Sequence, residues 1–121
     1  MDPKINHLAG MAAEAQVAAL YERAGNRVAA RRWRGPSGEI DLILRDGATG
    51  LIFVEVKKSR SHAEAAQRVS ARQRARIGRA ACEFVAREDG GRFDRTMRFD
   101  VALVDALGCI EIRKDAFRPG D

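Results

Sequence analysis

Gly38-Glu-Ile-Asp-Leu-Ile-Leu44 and Leu51-Ile-Phe-Val-Glu-Val-Lys57, joined by Arg45-Asp-Gly-Ala-Thr-Gly50, decide the fold. Both outer segments are runs of aliphatic and aromatic residues, and both carry acids that an interior strand should not tolerate. The join is polar and holds two glycines, so the three pieces predict an antiparallel hairpin. Side chains alternate faces along a strand, which places Glu39, Asp41 and Ile43 on one face and Phe53, Glu55 and Lys57 on another. A loop folded symmetrically about Ala48 sets Asp41 opposite Glu55 and Glu39 opposite Lys57. A slip of one residue would turn every side chain to the other face.

Two carboxylates opposed across a strand pair repel, and a half-buried charge needs a partner. A divalent cation removes both penalties. Hard ions such as Mg²⁺ take oxygen ligands, typically one or two carboxylates with water and substrate phosphate. A lysine beside them can hold the attacking water or stabilise charge developing on a phosphate.

Upstream, Ala9, Ala13, Val17, Leu20 and Ala24 recur at helical spacing, and Gly25-Asn26 supplies a stop, so a helix is predicted from about Leu8 to Ala24. Glu14 sits beside that apolar stripe, either as a solvated edge acid or as a third carboxylate facing the hairpin. Arg27 to Arg34 reads as a strand too basic for full burial, hence an edge. Around Trp33, Arg31, Arg32 and Arg34 could bind phosphates with the indole stacking on a base; the alternative is a core tryptophan among solvated arginines. Gly35-Pro-Ser-Gly38 reads as a turn free to move.

Downstream, Lys58 and Arg60 precede a helix over about His62–Arg87, broken near Ser70. Gln73, Ile77, Ala80 and Phe84 share one helical face, with Gln73 at the end nearest the acids. Arg68, Arg72, Arg76 and Arg79 form a separate stripe with no acid between Glu64 and Glu83 to pair with them. Such a stripe is either a solvated helix face or a track for phosphates, and the missing acids favour the second, since arginine binds phosphate oxygens bidentately. Met97–Val104 and Cys109–Arg113 read as strands. Asp100 is expected to orient neighbouring groups, and Phe117 to pack back on the core.

Asp41 followed by Glu55-Val56-Lys57 resembles the D…ExK signature of the PD-(D/E)xK nuclease superfamily. Gly38-Glu-Ile-Asp-Leu-Ile, Phe53-Val-Glu-Val-Lys, Arg98-Phe-Asp-Val and Lys114-Asp-Ala-Phe117, in that order, resemble the small bacterial YraN family from about Ala9 to Phe117. Its members are described as Holliday-junction-resolvase-like. The resemblance implies an α+β (α/β sandwich) fold of the restriction-endonuclease-like kind, a mixed sheet flanked by helices in the order αβββαββ. It implies Mg²⁺ or Mn²⁺ held by Asp41, Glu55, the Val56 carbonyl and Glu14, with Lys57, Glu39 and Gln73 completing the catalytic set. Gln73 departs from the lysine common at that place in the family. Implied partners are DNA, branched or single-stranded in preference to plain duplex, and a second copy of the chain, since small resolvases cut four-way junctions as dimers.

The totals bound the alternatives. At 121 residues, one domain is expected, with 1–7 and 118–121 as loose tails. A net charge of +5 favours a polyanionic partner. Two histidines and two cysteines, without C-x-x-C spacing, argue against zinc. Cys82 and Cys109 read as small buried hydrophobes in a reducing compartment. No apolar run reaches a membrane span and no signal peptide is visible, so a cytoplasmic protein is expected. Three functions follow: a metal-dependent endonuclease, a non-catalytic nucleic-acid-binding module of DNA repair or recombination, and a domain whose basic surface meets an acidic protein.

Overall fold

The computed structural model describes residues 3–92 and 95–119, with side chains from residue 10 onward. The first helix, α1, spans Pro3–Arg23 and so starts five residues before the periodicity marks. Proline suits a first helical turn, because its ring presets φ and the missing N–H would have had no partner there. Among its described side chains it buries Ala13, Val17, Ala18 and Tyr21. At its end the Asn26 amide returns to the Tyr21 carbonyl at 3.0 Å, around Gly25 at φ 98°. That left-handed turn is why glycine follows the helix.

Three strands come next: β1 (Arg27–Gly35), β2 (Gly38–Asp46) and β3 (Gly50–Lys58). They lead to helices α2 (His62–Gln67) and α3 (Ala71–Glu88), then β4 (Thr96–Val104) and β5 (Ile110–Arg113). The helical region breaks where the sequence predicts. Ser61 and Ser70 are the two N-caps, their hydroxyls accepting from the Glu64 and Gln73 amides. The five strands form one sheet in the order β1-β2-β3-β4-β5, antiparallel except for the parallel β3–β4 pair. This is a mixed α+β architecture with β1 at an edge, as its arginines demand.

The sheet has two buried faces. Ile43, Phe53, Phe99, Val101 and Leu103 pack against Ile77, Ala80, Ala81, Phe84 and Val85 of α3. Leu42, Leu44, Ile52, Val54 and Ala102 pack against Val17, Ala18 and Tyr21 of α1. Residues alternate between these clusters with the period of two that a pleated strand imposes. Trp33 takes the core alternative, packing edge-on against Phe84 at 5.5 Å between ring centroids. Phe117 returns to the core beside Phe99, as expected.

The hairpin is symmetric about Ala48: Leu42 pairs with Val54, Ile43 with Phe53 and Asp46 with Gly50. In one respect β2 departs from simple alternation. Ile40 joins the α3-side cluster along with Ile43, three positions away, whereas Leu42 faces α1. The strand therefore changes phase around Asp41. Across from it the β1–β2 ladder pairs Arg31 with Leu42 and Trp33 with Ile40 but skips Arg32, whose φ is 50°. The register is the same on both sides of that gap and shifts only between Val28 and Ala30; the packing of Ile40 with Ile43 on the α3 side is what breaks the expected single face of Glu39, Asp41 and Ile43.

Two further expectations are corrected. Cys82 and Cys109 are free but exposed, because both fall on solvent-facing positions of α3 and the approach to β5. The Gly35–Gly38 turn is pinned, since Glu83 of α3 accepts from the Ser37 amide at 3.0 Å and its hydroxyl at 2.6 Å.

Candidate active site

The β2–β3 ladder stops at Leu42–Val54, and the next residues along it are Asp41 and Glu55. As the strands part, the Val56 N–H finds no β2 carbonyl. Asp41 Oδ2 accepts it at 2.8 Å, which fixes the carboxylate in the opening. Glu55, the next residue on β3 across from Asp41, is 7% exposed. The symmetric register thus brings the two acids together.

Burial is the main reason Glu55 is pushed up to about 8, with the neighbouring carboxylate of Asp41 adding to it. The positive charges of Lys57 and Arg76 oppose the shift. They flank the two carboxylate oxygens: Lys57 Nζ lies 3.8 Å from Oε1 and Arg76 Nη2 3.6 Å from Oε2. Burial beside a second carboxylate thus favours the protonated form of Glu55, and the two flanking cations favour its charged form.

Glu14 reaches the same region from α1. Arg32 Nε donates to its Oε2 at 2.9 Å and Nη2 to its Oε1 at 3.4 Å. Burial raises the Glu14 pKa, the Arg32 hydrogen bond lowers it, and the charge of Asp41 raises it again. The shift through Asp41 places the two acids within electrostatic reach, and both line one cavity between α1 and β1.

The other expected residues divide. Glu39 is not paired with Lys57. It lies opposite Arg34 on β1 and binds Arg34 Nη2 at 3.3 Å, with Arg32 at 3.9 Å, because β2 pairs there with β1 after parting from β3. Gln73 Oε1 is buried without a hydrogen-bond partner, the one such side-chain atom among the described residues. Of the α3 arginines, Arg72 and Arg79 are exposed. Arg68 donates to the Lys58 carbonyl at 3.3 Å, and Arg60 forms an exposed pair with Glu64 at 2.8 Å. Arg31 is 3.8 Å from Glu22, each about half exposed.

Arg76 leaves the stripe and turns inward. Its Nη1 donates to the Glu39 carbonyl at 2.9 Å, in addition to the Glu55 contact. A Cβ on Gly38 would stand 2.7 Å from that Nη1, and Gly38 has φ 119°. The glycine that opens β2 is thus the space through which Arg76 enters. The sequence holds both parts of this arrangement, a glycine at the start of the acidic strand and an arginine six residues after the Ser70 cap. Nothing in either residue pointed to the other.

A divalent ion fits this donor set in part. Two carboxylates at facing positions where the strands part offer what a hard cation takes. Among the described residues no group of three or more His, Cys, Asp and Glu side chains is gathered closely enough to hold a metal. Further ligands would be the Val56 carbonyl or water, with Glu14 kept at a remove by Arg32.

The family model for UPF0102, an uncharacterised protein family, matches residues 13–104, which span every acid of this site. The chain belongs to the UPF0102 family. That is the YraN family on whose motifs the resemblance rested. A UPF0102 protein of Cereibacter sphaeroides strain ATCC 17029 is 58% identical over 117 residues, covering 97% of this chain and 98% of its own. UPF0102 proteins of Ruegeria pomeroyi and Roseobacter denitrificans are 54% and 50% identical, covering 92% and 85% of their lengths. Among the described residues of this UPF0102 chain, no helix is long and apolar enough to cross a membrane.

Proposed function

We propose that this protein is a metal-dependent endonuclease that hydrolyses phosphodiester bonds in DNA. The observation that carries the reading is the placing of Asp41, held on the Val56 N–H, across from buried Glu55, with Lys57 and Arg76 on the two Glu55 oxygens. Mg²⁺ or Mn²⁺ on Asp41 and Glu55 would supply a hydroxide near neutral pH and a counter-charge for the pentavalent phosphorus. Val56 orients Asp41 through its amide. Lys57 would hold the attacking water beside Glu55, and Arg76 would meet negative charge on the phosphate from the α3 side. Arg68, Arg72 and Arg79, with Lys58, would carry the backbone of the bound strand.

A non-catalytic nucleic-acid-binding module is favoured by one feature: Arg32 and Arg76 already give Glu14 and Glu55 internal counter-charges. Cleavage assays separate the two readings. Labelled duplex, single-strand, flap and four-way-junction DNA, and RNA, would be incubated with wild type and Asp41→Ala in Mg²⁺, Mn²⁺ or EDTA. Cutting that needs metal and vanishes in the variant is the expected result. Salt-sensitive binding by both proteins with no cutting by either would replace the nuclease with the binding module.

A further inference from the structure

Met11, Glu14 and Ala15 of α1, Arg31 and Arg32 of β1, and Asp41 and Leu42 of β2 enclose a cavity of about 200 Å3. Lys57, Glu55 and Arg76 are not among its walls. Asp41 is therefore shared: its carboxylate meets Val56 at the strand opening, across from Glu55, and it also borders this cavity toward α1.

The walls are unlike those of a phosphate or hydrated-cation site. Met11, Ala15 and Leu42 are apolar. Arg32 is committed to Glu14, so neither residue has its full charge to offer a ligand. Arg31 is held only by a long, exposed contact with Glu22 and can lay its guanidinium over a flat surface. Met11 is 44% exposed, one of two exposed large apolar side chains among the described residues. A lone exposed methionine is ordinary; at the mouth of a cavity beside two carboxylates it has a use. Thioether sulfur and guanidinium both pack favourably on the face of an aromatic ring. A ligand with flat faces and a polar edge matches these walls, and the space admits one ring system.

We infer that this cavity receives a single unpaired nucleobase adjoining the scissile phosphate, so that the substrate is a DNA strand with an unstacked nucleotide at the cut. The inference rests on the proposed reading of Asp41 and Glu55 as the place of chemistry. A base in continuous duplex is paired and stacked and would have to be extruded to enter, whereas one at a branch, flap or overhang enters without that cost. Substrate choice would then come from base availability and not from sequence, since no side chain here is set to read one base edge against another.

The test uses 2-aminopurine placed at an unpaired position of a branched DNA and at the matching position of a continuous duplex. Binding and emission are followed in Ca²⁺, and cutting in Mg²⁺. Wild type should bind the unpaired substrate at least about tenfold more tightly, within what stacking one base contributes, and change its emission. Ala15→Leu fills the cavity from an exposed position on a helix that leucine suits, and Met11→Ser removes one wall. Each should abolish the emission change and bring the two affinities together. Equal binding of both DNAs by wild type, or an unchanged preference in Ala15→Leu, would overturn the pocket. Cutting without preference would retain the nuclease and reject the pocket. Selective binding that depends on Met11 and Ala15, without cutting, would do the reverse. Absence of both would reject both.

Discussion

Arg76 Nη2 stands 3.6 Å from Glu55 Oε2, although the arginine belongs to a helical stripe whose other members are exposed. The same guanidinium donates to the Glu39 carbonyl at 2.9 Å, so it joins α3 to both strands that bear the acids. Arg76→Met would remove a cation from a buried carboxylate and leave a carbonyl without its donor. Urea unfolding should show a loss of about 1–3 kcal/mol. Arg72→Met, exposed on the same helix, should stay within about 0.5 kcal/mol of wild type. If both variants behave alike, Arg76 is an ordinary member of the stripe.

Glu55 sets a pH dependence with a definite sign. Its proton leaves near 4.5 in the unfolded chain and near 8 in the fold. Between these values the folded state binds more protons, so stability is greatest at the acid end and declines as pH rises toward 8. Glu55→Gln should flatten that decline in chemical-denaturation midpoints measured across the window. Cation binding must expel the same proton, so Mn²⁺ affinity followed by calorimetry should tighten as pH rises through the window. A pH-independent affinity would remove Glu55 from the ligand set.

Tyr21 donates to Asp100 Oδ2 at 2.7 Å. Asp100 is fully buried and also accepts from Arg98 at 2.9 Å and from the Asp115 amide at 2.9 Å. Burial, reinforced by the bond to Asp100, holds the Tyr21 phenol protonated well above its usual range. Tyr21→Phe should cost about 1.5–3 kcal/mol, as expected for a bond to a buried charge. Because Glu14 lies seven residues earlier on the same helical face, the Glu14–Arg32 contact should loosen as well. Spectroscopic observation of the Arg32 side chain in Tyr21→Phe would reveal it, and an unchanged Arg32 signal would confine Asp100 to the core.

Gly38→Ala should be worse than Gly47→Ala. Both positions have positive φ, 119° and 66°, so both substitutions strain the backbone. Only at Gly38 does the new Cβ meet another group, Arg76 Nη1 at 2.7 Å; around Gly47 there is open space. Thermal denaturation should show Gly38→Ala losing about 1–3 kcal/mol with lower cation affinity, and Gly47→Ala keeping wild-type affinity. Equal affinities would mean that Arg76 can enter the site by another route.

The hairpin, its register about Ala48 and the meeting of Asp41 with Glu55 are determined by the sequence, because alternation along two strands and the length of one loop fix them locally. The same holds for the α3 core face and the break before Ser70, where period and cap agree. The edge position of β1 follows from its arginines. Only the tertiary structure decided which cations the acids meet. Continuing the hairpin ladder would pair Glu39 with Lys57, but the strands part before reaching it, and Glu39 pairs with Arg34 of β1 instead. Arg32 turns onto Glu14 through a left-handed residue that no periodicity announces. Arg76 reaches Glu55 through a gap left by a glycine 38 positions earlier. Backbone pattern is a local property of the chain, whereas the counter-charges of a buried site come from whichever elements the packing brings to it.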